Sequence, residues 1–263
     1  MILKKLALVT GATGAIGKAI ASQLVATGDF RVLMVVKDEE KALRVMGDIR
    51  RQTGSDDIRY VITDLSRKAE IFDLASRIHE PVHVLVNNAA STPRKRAETP
   101  EGIEVQFATN VLGYFWMIEA LMPYLKSGTP SRIVNVASYW AGGLDLSDLQ
   151  FKRRHYDNDS AYRQSKQANR MLTVAFAGRL KPFNITVNAC HPGDVNSALS
   201  NSMGFGGHET PDQGADTPVW LATSPEVEGV TGKYFEHKKQ QSCSFSANKE
   251  EVERLFEICS SYI

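Results

Sequence analysis

The chain has few residues of the kinds that staple a fold or bind a metal. Among its 263 residues there are three cysteines, Cys190, Cys243 and Cys259, and no C-x-x-C pair or Cys/His cluster. The sequence therefore predicts neither a disulfide framework nor a zinc site, and we expect no metal. The formal net charge of +1 gives no electrostatic reason to expect a nucleic acid or an anionic membrane as a partner.

Long apolar runs are also missing. No run approaches the roughly 20 apolar residues that a bilayer-spanning helix needs. The opening stretch, "MILKKLALVTGATG", leads almost directly into a glycine turn and leaves no room for a signal peptide or an anchor. From these absences, and from the few cysteines, we expect a soluble cytoplasmic protein with no membrane span.

What the sequence does contain is a regular alternation of apolar runs and amphipathic stretches. Several runs are continuously apolar, as is typical of parallel strands covered on both faces. The predicted strands are Leu6–Val9, Arg31–Val36, Ile58–Thr63, Val82–Val86, Arg132–Val136, Thr186–Cys190 and a short one near Lys233–Phe235. The predicted helices cover about 15–27, 39–53, 67–79, 101–126 and 160–181.

This βαβ order predicts a doubly wound α/β fold of the Rossmann type, with a mostly parallel seven-stranded sheet flanked by helices. Because the composition does not shift along the chain, we expect one domain over 1–263. Its cofactor half would cover about 1–130 and its catalytic and substrate half about 131–263. Residues 139–159 and 197–214 are predicted as long loops that follow strands, and they are expected at the ligand-binding edge of the sheet.

The stretch "TGATGAIG" lies between the first predicted strand and the first predicted helix. Its glycines, Gly11, Gly14 and Gly17, are three residues apart, and such a turn leaves backbone N–H groups free to face a pyrophosphate. Ala15 stands one place after Gly14, and its methyl group is expected to crowd the pyrophosphate slightly. The turn is nevertheless predicted to bind a dinucleotide.

The end of the second predicted strand bears on which dinucleotide this is. An acidic residue there would bind the ribose 2′-OH of NAD(H), whereas a cation favours the 2′-phosphate of NADP(H). The strand ends at Val36 and is followed by Lys37, which favours NADP(H). Asp38 keeps NAD(H) open as the alternative.

A tyrosine and a lysine indicate the chemistry. In "SAYRQSKQANR", Tyr162 and Lys166 are four residues apart and share one face of a predicted helix. A nearby ammonium stabilises a phenolate, so we expect a lowered tyrosine pKa and proton exchange with an alkoxide. Ser138 ends the fifth strand and can hydrogen-bond a substrate carbonyl. Asn110 is a polar residue in an otherwise apolar helical stretch.

Taken in order, the glycine turn, "DL", "NNAA", Asn110, Ser138, "YRQSK" and "HPGDVNS" resemble the motifs of the short-chain dehydrogenase/reductase family over nearly the whole chain. The long interval between Ser138 and Tyr162 is similar to that of retinol dehydrogenases and related NADP(H)-preferring carbonyl reductases. The resemblance implies that Tyr162 is the acid/base, that Lys166 lowers its pKa and binds the nicotinamide ribose, and that Ser138 orients the carbonyl.

The resemblance also implies that Asn110 holds a water linking Lys166 to solvent, and that the helices of Asn110 and Tyr162 build a homo-oligomer. The candidate cofactor-binding residues are Gly11, Thr13, Gly14, Ala15, Ile16, Gly17, Lys37, Asp64, Leu65, Asn88, Ala89, Ala90, Tyr162, Lys166, Pro192, Gly193, Val195 and Ser197. The candidate walls of an apolar substrate pocket, all from the two long loops, are Tyr139, Trp140 and Phe205.

The predicted function is an NADP(H)-dependent oxidoreductase that interconverts a ketone or aldehyde and an alcohol on a small apolar substrate. Two alternatives stay open. One is a non-catalytic NADP(H)-binding redox sensor, against which the joint presence of Asn110, Ser138, Tyr162 and Lys166 argues. The other is a reductase that acts on a polarised C=C bond.

Overall fold

One eight-stranded sheet forms the centre of the computed structural model, which describes residues 4–263. Its strands are β1 Lys5–Thr10, β2 Phe30–Val36, β3 Ile58–Ile62, β4 Val82–Asn87, β5 Ser131–Val136, β6 Ile185–His191, β7 Tyr234–Glu236 and β8 Lys239–Gln241. They lie in the order β3-β2-β1-β4-β5-β6-β7-β8. The first seven are mutually parallel, and β8 pairs antiparallel with β7.

The predicted doubly wound α/β fold is therefore confirmed, with one strand more than the seven expected. The additional strand, β8, has the exposed sequence KQQ, so it carries no apolar pattern by which it could have been found. The order reverses between β1 and β4, and this is the switch point at which doubly wound sheets bind ligands beyond the carboxyl ends of their strands. The division into one domain with two halves stays a prediction.

Helices cover both faces of the sheet. They are α1 Ala15–Ala26, α2 Glu39–Thr53, α3 Lys68–Ser76, α4 Gly113–Ser127, α5 Asn158–Leu180, α6 Ala198–Ser202, α7 Pro211–Thr223 and α8 Lys249–Ser260. A π-helical segment, Phe107–Leu112, leads into α4. Within residues 4–263, no helix combines the length and the apolar character that crossing a membrane requires.

The strands read as continuous apolar runs because each alternate side chain enters a different core. In β1, Leu6 and Leu8 pack with residues of α4, α5 and α8 on one face. Ala7 and Val9 pack on the other face with residues of α1, α2 and α7. A strand buried on both faces has no polar side to display, which explains why the period-2 signal is absent.

Two boundaries differ from the sequence prediction. The helix expected over 101–126 begins only after Glu104, because Gly102 has a left-handed φ of 76°. The buried Glu104 carboxylate accepts hydrogen bonds from the N–H groups of Gln106 and Phe107, at 2.8 and 2.7 Å. That carboxylate satisfies N–H groups which a helix beginning at 101 would have bonded internally.

The stretch 197–214, expected to be a loop, contains α6 and the first turn of α7. Both helices begin with a capping box, formed by Ser197 with Ser200 and by Thr210 with Gln213. The second box was readable in the sequence, since T-P-D-Q combines a capping threonine, a proline at the first helical position and a glutamine three residues on.

Candidate active site

The glycine turn brings backbone against backbone. Gly11 has a φ of 65°, and a Cβ added to it would lie 2.8 Å from the Ala89 Cα. A Cβ on Gly17 would lie 2.3 Å from the Gly11 carbonyl oxygen, whereas one on Gly14 would meet nothing closer than 3.4 Å. Two of the three glycines are thus required by close contact. Gly14 instead forms the N-cap of α1, whose first N–H groups have no partner within the helix.

A cleft of about 750 Å³ runs along the switch point. Thirteen of the predicted cofactor residues line it: Gly11, Thr13, Gly14, Ala15, Ile16, Gly17, Lys37, Asp64, Leu65, Asn88, Ala89, Ala90 and Ser197. A second cavity of about 430 Å³ adjoins it and shares Ile16, Ser197 and Leu199. The predicted residues in the second cavity are Ser138, Tyr139, Trp140, Tyr162, Pro192, Gly193, Val195 and Phe205.

Three charged residues lie near one end of the cleft, and two of them, Lys37 and Asp64, line it. The exposed Lys37 ammonium is 2.7 Å from an Asp64 carboxylate oxygen, and Ser66 donates its N–H and O–H to the same carboxyl group. Burial alone would raise the Asp64 pKa, but the Lys37 ion pair and the Ser66 hydrogen bonds hold it below its usual range. Asp38 accepts a hydrogen bond from the Lys41 N–H and so caps α2.

Asn88 holds the glycine turn in place. Its side-chain amide donates to the Thr10 carbonyl at 2.8 Å, and its backbone N–H donates to the Thr10 hydroxyl, also at 2.8 Å. Asn88 thus links the end of β4 to the end of β1 beside the cleft that it also lines. Its predicted contact with the cofactor stays a prediction.

Ser138 and Tyr162 meet in the second cavity. The Ser138 hydroxyl oxygen accepts a hydrogen bond from the Trp140 N–H at 3.0 Å, which leaves the hydroxyl proton free to be donated. Burial raises the pKa of Tyr162 to about 12, while the nearby Ser138 hydroxyl acts in the opposite direction. Tyr162 is therefore protonated at neutral pH.

Lys166 lies directly behind the tyrosine, as the four-residue spacing predicts. Its ammonium is 5.5 Å from the centre of the Tyr162 ring and donates to the Val136 carbonyl at 2.9 Å. Burial lowers the pKa of Lys166 to about 8. The expected lowering of the Tyr162 pKa by this ammonium is not seen, because burial dominates at Tyr162 and the ammonium is bonded to the main chain instead.

Asn110 is fully buried in the π-helical segment, a kind of irregularity that is frequent at functional sites. Its side chain accepts from the Ser91 N–H at 2.8 Å and donates to the Ser91 carbonyl at 3.0 Å. It also lies 3.3 Å from the Ser165 hydroxyl, next to Lys166 in α5. These contacts tie the cleft wall to α5. The water that Asn110 was expected to hold stays a prediction.

Aromatic rings form one wall of the second cavity. Trp140 packs edge-on against Phe205 with ring centres 4.4 Å apart, and its ring centre is 6.4 Å from that of Tyr162. Tyr139 packs edge-on against His191 at 4.6 Å. The three predicted wall residues are thus brought together, although two of them are partly open to solvent, at 53% for Tyr139 and 44% for Phe205.

Several lining residues were not predicted, among them His191, Leu199 and Met203. Burial lowers the pKa of His191 to about 4, so this side chain is neutral at pH 7. Leu199 and Met203 come from the unpredicted helix α6 and the residue after it, and recognising that helix would have placed them. Within residues 4–263, no group of three or more His, Cys, Asp or Glu side chains could hold a metal ion.

Comparisons with known proteins agree with this geometry. A family model described as short chain dehydrogenase matches residues 5–204. Retinol dehydrogenase 13 of Mus musculus is 35% identical over 95% of this chain and 80% of its own length. Polyprenol dehydrogenase of the same species is 32% identical over 95% of this chain and 81% of its own length. The structure of 3-ketoacyl-(acyl-carrier-protein) reductase from Brucella melitensis complexed with NADH has a TM-score of 0.67 at 27% identity, covering 90% and 97% of the two chains.

Proposed function

The chain belongs to the short-chain dehydrogenase family, and we propose that within this family of alcohol and carbonyl oxidoreductases it is NADP(H)-dependent and acts on a small apolar ketone or aldehyde and the corresponding alcohol. The observation that carries the proposal is the meeting of Ser138 and Tyr162 in a cavity that adjoins the glycine-lined cleft. A substrate in this cavity would lie next to both hydroxyl groups and next to a cofactor in the cleft.

The cleft fits a dinucleotide because its turn is built for close approach. Side chains are excluded at Gly11 and Gly17, and the N-terminus of α1 opens onto the same space. Bound there, a nicotinamide cofactor would supply or accept the hydride. Gly193 and Val195 line the adjoining cavity, where they would seat the nicotinamide ring.

Tyr162 is the proposed proton donor for the oxygen that becomes an alcohol. With a pKa of about 12 it carries its proton at neutral pH, which suits the direction of carbonyl reduction. The Ser138 hydroxyl would donate a second hydrogen bond to the same oxygen, since its bond with the Trp140 N–H uses only the oxygen and leaves the proton available. Two fixed donors stabilise a developing alkoxide without the reorganisation that water would need.

Lys166 is proposed to fix the backbone beneath this site and not to touch the substrate. Its ammonium fixes the Val136 carbonyl two residues before Ser138. Lys166 lines neither space and is only 2% exposed. Contact between Lys166 and the nicotinamide ribose, which the family resemblance implies, is kept in the proposal, and it requires the ammonium to reach past the Val136 carbonyl into the cleft.

NADP(H) is proposed as the cofactor on two grounds. Lys37 lies at the rim of the cleft with its side chain 76% exposed, so it can turn toward a 2′-phosphate. Asp38, the residue that favoured NAD(H), is occupied with the N-cap of α2 and an ion pair with Lys41. A ribose hydroxyl would have to displace that cap.

The proposed substrate is apolar because aromatic and aliphatic side chains line the cavity around the two hydroxyl groups. Trp140 and Phe205 provide a continuous aromatic wall, and Leu199 and Met203 extend it. The names of the two relatives refer to retinol and polyprenol, both isoprenoid alcohols, which is consistent with an apolar substrate.

The test is consumption of NADPH across a panel of apolar ketones, aldehydes and enones, with NADPH binding measured separately by fluorescence. The proposal predicts turnover of ketones or aldehydes and preference for NADPH over NADH. Binding without turnover across the panel would favour a redox sensor. Turnover confined to the enones, with the carbonyl retained in the product, would favour reduction of a C=C bond.

A further inference from the structure

Helix α5 carries an arginine, Arg170, on the same face as Tyr162 and Lys166. Tyr162, Lys166 and Arg170 are spaced by four residues, so they lie on one face of the helix. Lys166 donates to the Val136 carbonyl at 2.9 Å, and Arg170 donates to the Ser138 carbonyl at 2.5 Å. Helix α5 is therefore hydrogen-bonded to two carbonyls at the C-terminal end of β5 and just after it, those of Val136 and Ser138.

Arg170 is held in this position by aromatic contacts. Its guanidinium carbon lies 3.5 Å from the ring centre of Tyr234 and 5.5 Å from that of Phe245. The Tyr234 hydroxyl in turn donates to the Glu236 carboxylate at 2.7 Å. The planar guanidinium is thus stacked on one side and bonded at its edge, which leaves it little freedom to turn.

The burial of this cation needs an explanation. Arg170 is 7% exposed, and its Nε–H is buried without an acceptor. Within residues 4–263, no carboxylate lies within ion-pair distance of its guanidinium. A buried guanidinium without a counter-charge is costly, so this arrangement is a poor device for stability alone. Its one charge-assisted hydrogen bond is to the residue that lies opposite Tyr162.

We propose that Arg170 is a positioning residue that fixes Ser138 for the reaction. Ser138 is held from two sides, at its carbonyl by Arg170 and at its hydroxyl oxygen by the Trp140 N–H. With both fixed, the hydroxyl oxygen is held in the cavity that Tyr162 also lines, where its proton can be donated to a substrate oxygen. Arg170 lines neither the cleft nor the adjoining cavity, so it acts through Ser138 and touches no reactant.

The inference rests on the proposed function, and its first test does not need turnover. Arg170→Met keeps an unbranched side chain of similar length but removes the donor. In a crystal structure of this variant we expect the Ser138 hydroxyl to lose its hydrogen bond with Trp140 or to move away from Tyr162. An unchanged Ser138 would overturn the inference, even if the proposed reaction were confirmed.

The second test is kinetic and uses reduction of 4-phenyl-2-butanone by NADPH as the probe, or the fastest apolar ketone of the panel if this one is not turned over. Arg170→Met should lower kcat about 10- to 100-fold, as expected when a donor is misplaced by about 1 Å, with the Kd for NADPH changed less than about twofold. Arg170→Lys keeps a donor of comparable reach and should restore most of kcat.

Ser138→Ala separates positioning from a general structural effect. If Arg170 acts through the Ser138 hydroxyl, then Arg170→Met should change kcat less than about threefold once that hydroxyl is absent. Losses that multiply in the double variant would contradict the inference. If Arg170→Met does not fold, the same cycle is run with Arg170→Lys, whose smaller loss must also disappear in the Ser138→Ala background.

Arg179 offers a matched control in the same helix. Its guanidinium also stacks on an aromatic ring, 3.7 Å from the centre of Phe256, but it is paired with Glu253. Arg179→Met removes the same chemical group far from Ser138, and it should leave kcat unchanged. An equal loss of kcat in both variants would show that a perturbed helix, rather than Ser138, is responsible.

Discussion

The cofactor end and the reaction end of the site are held by different means. At the cofactor end, Gly11 packs closely against the backbone of Ala89, and Gly17 packs against the backbone of Gly11. At the reaction end, long side chains reach distant carbonyls, such as Lys166 on Val136, 30 positions away. The first end is therefore specified by the absence of side chains in a short motif, and the second by tertiary contacts between β5 and α5.

The comparison predicts that the two ends can be disabled separately, and the largest effect is expected at the reaction end. Tyr162→Phe removes the proposed proton donor while keeping the ring that packs near Trp140. Turnover should fall about 10³-fold, because a positioned general acid contributes roughly 10²–10⁴. NADPH affinity, measured by fluorescence titration, should stay nearly unchanged.

A matched control is Tyr60→Phe, which removes a hydroxyl bonded to Glu39 on the exposed surface. This variant should retain full activity. Substantial turnover in Tyr162→Phe would show that the proton comes from another group, and a parallel loss of NADPH affinity would show that the two ends are not separable.

The next largest effect is expected at the cofactor end, where one added methyl group should weaken NADPH binding. Gly17→Ala places a Cβ 2.3 Å from the Gly11 carbonyl oxygen, so the turn must open. We expect a loss of about 1–3 kcal/mol in the free energy of unfolding, as for other overpacked sites, and at least about tenfold weaker NADPH binding.

Gly14→Ala is the matched control, because its Cβ would meet nothing closer than 3.4 Å. It should change the free energy of unfolding by about 1 kcal/mol or less, the scale expected when alanine replaces glycine at an N-cap. Equal losses in the two variants, measured by urea unfolding, would contradict the view that close backbone contact alone fixes this turn.

The reaction end should also respond to acid through His191. Burial lowers its pKa to about 4, against about 6.5 in an unfolded chain, although the nearby Glu236 and Asp194 oppose the shift. The unfolded state therefore binds the proton first as the pH falls, and stability is lost between about pH 6.5 and 4. From pH 7 to 5, His191 should account for about 2 kcal/mol of lost stability.

His191→Gln should remove that part of the acid sensitivity, as measured by urea unfolding at both pH values. His79→Gln, a substitution at an exposed histidine, should leave it in place. If both variants lose stability with acid as steeply as the unsubstituted protein, His191 is not the group responsible.

The two ends also differ in how far the sequence predicts them. The glycine turn, Lys37 and the pair Tyr162 and Lys166 follow from local spacing. The structure brings the glycine turn and Lys37 to the cleft and Tyr162 to the adjoining cavity, with Lys166 buried behind the tyrosine. The hydrogen bonds from Lys166 to Val136 and from Arg170 to Ser138 depend on how α5 packs over β5. A local sequence pattern carries no information about that packing. For the same reason the direction of the Tyr162 pKa shift could not be foreseen, since it is set by burial.

The smallest effect is expected in the exposed part of the cofactor end, where residues are held neither by close backbone contact nor by burial. Lys37 is largely exposed and paired with Asp64, so its contribution to a 2′-phosphate is a screened surface interaction. Lys37→Gln should lower the ratio of NADPH to NADH affinity about tenfold, equivalent to about 1.4 kcal/mol. The effect should shrink as salt is added, because the charges are solvated.

Lys41→Gln serves as the matched control, since Lys41 pairs with Asp38 in the first turn of α2 and does not line the cleft. It removes the same charge a short distance away, so it should leave the cofactor ratio within about twofold. A ratio unaffected by Lys37→Gln would mean that another group recognises the phosphate. A loss that persists undiminished at high salt would mean that Lys37 becomes buried when the cofactor binds, and the cofactor end would then resemble the reaction end more closely than the free protein suggests.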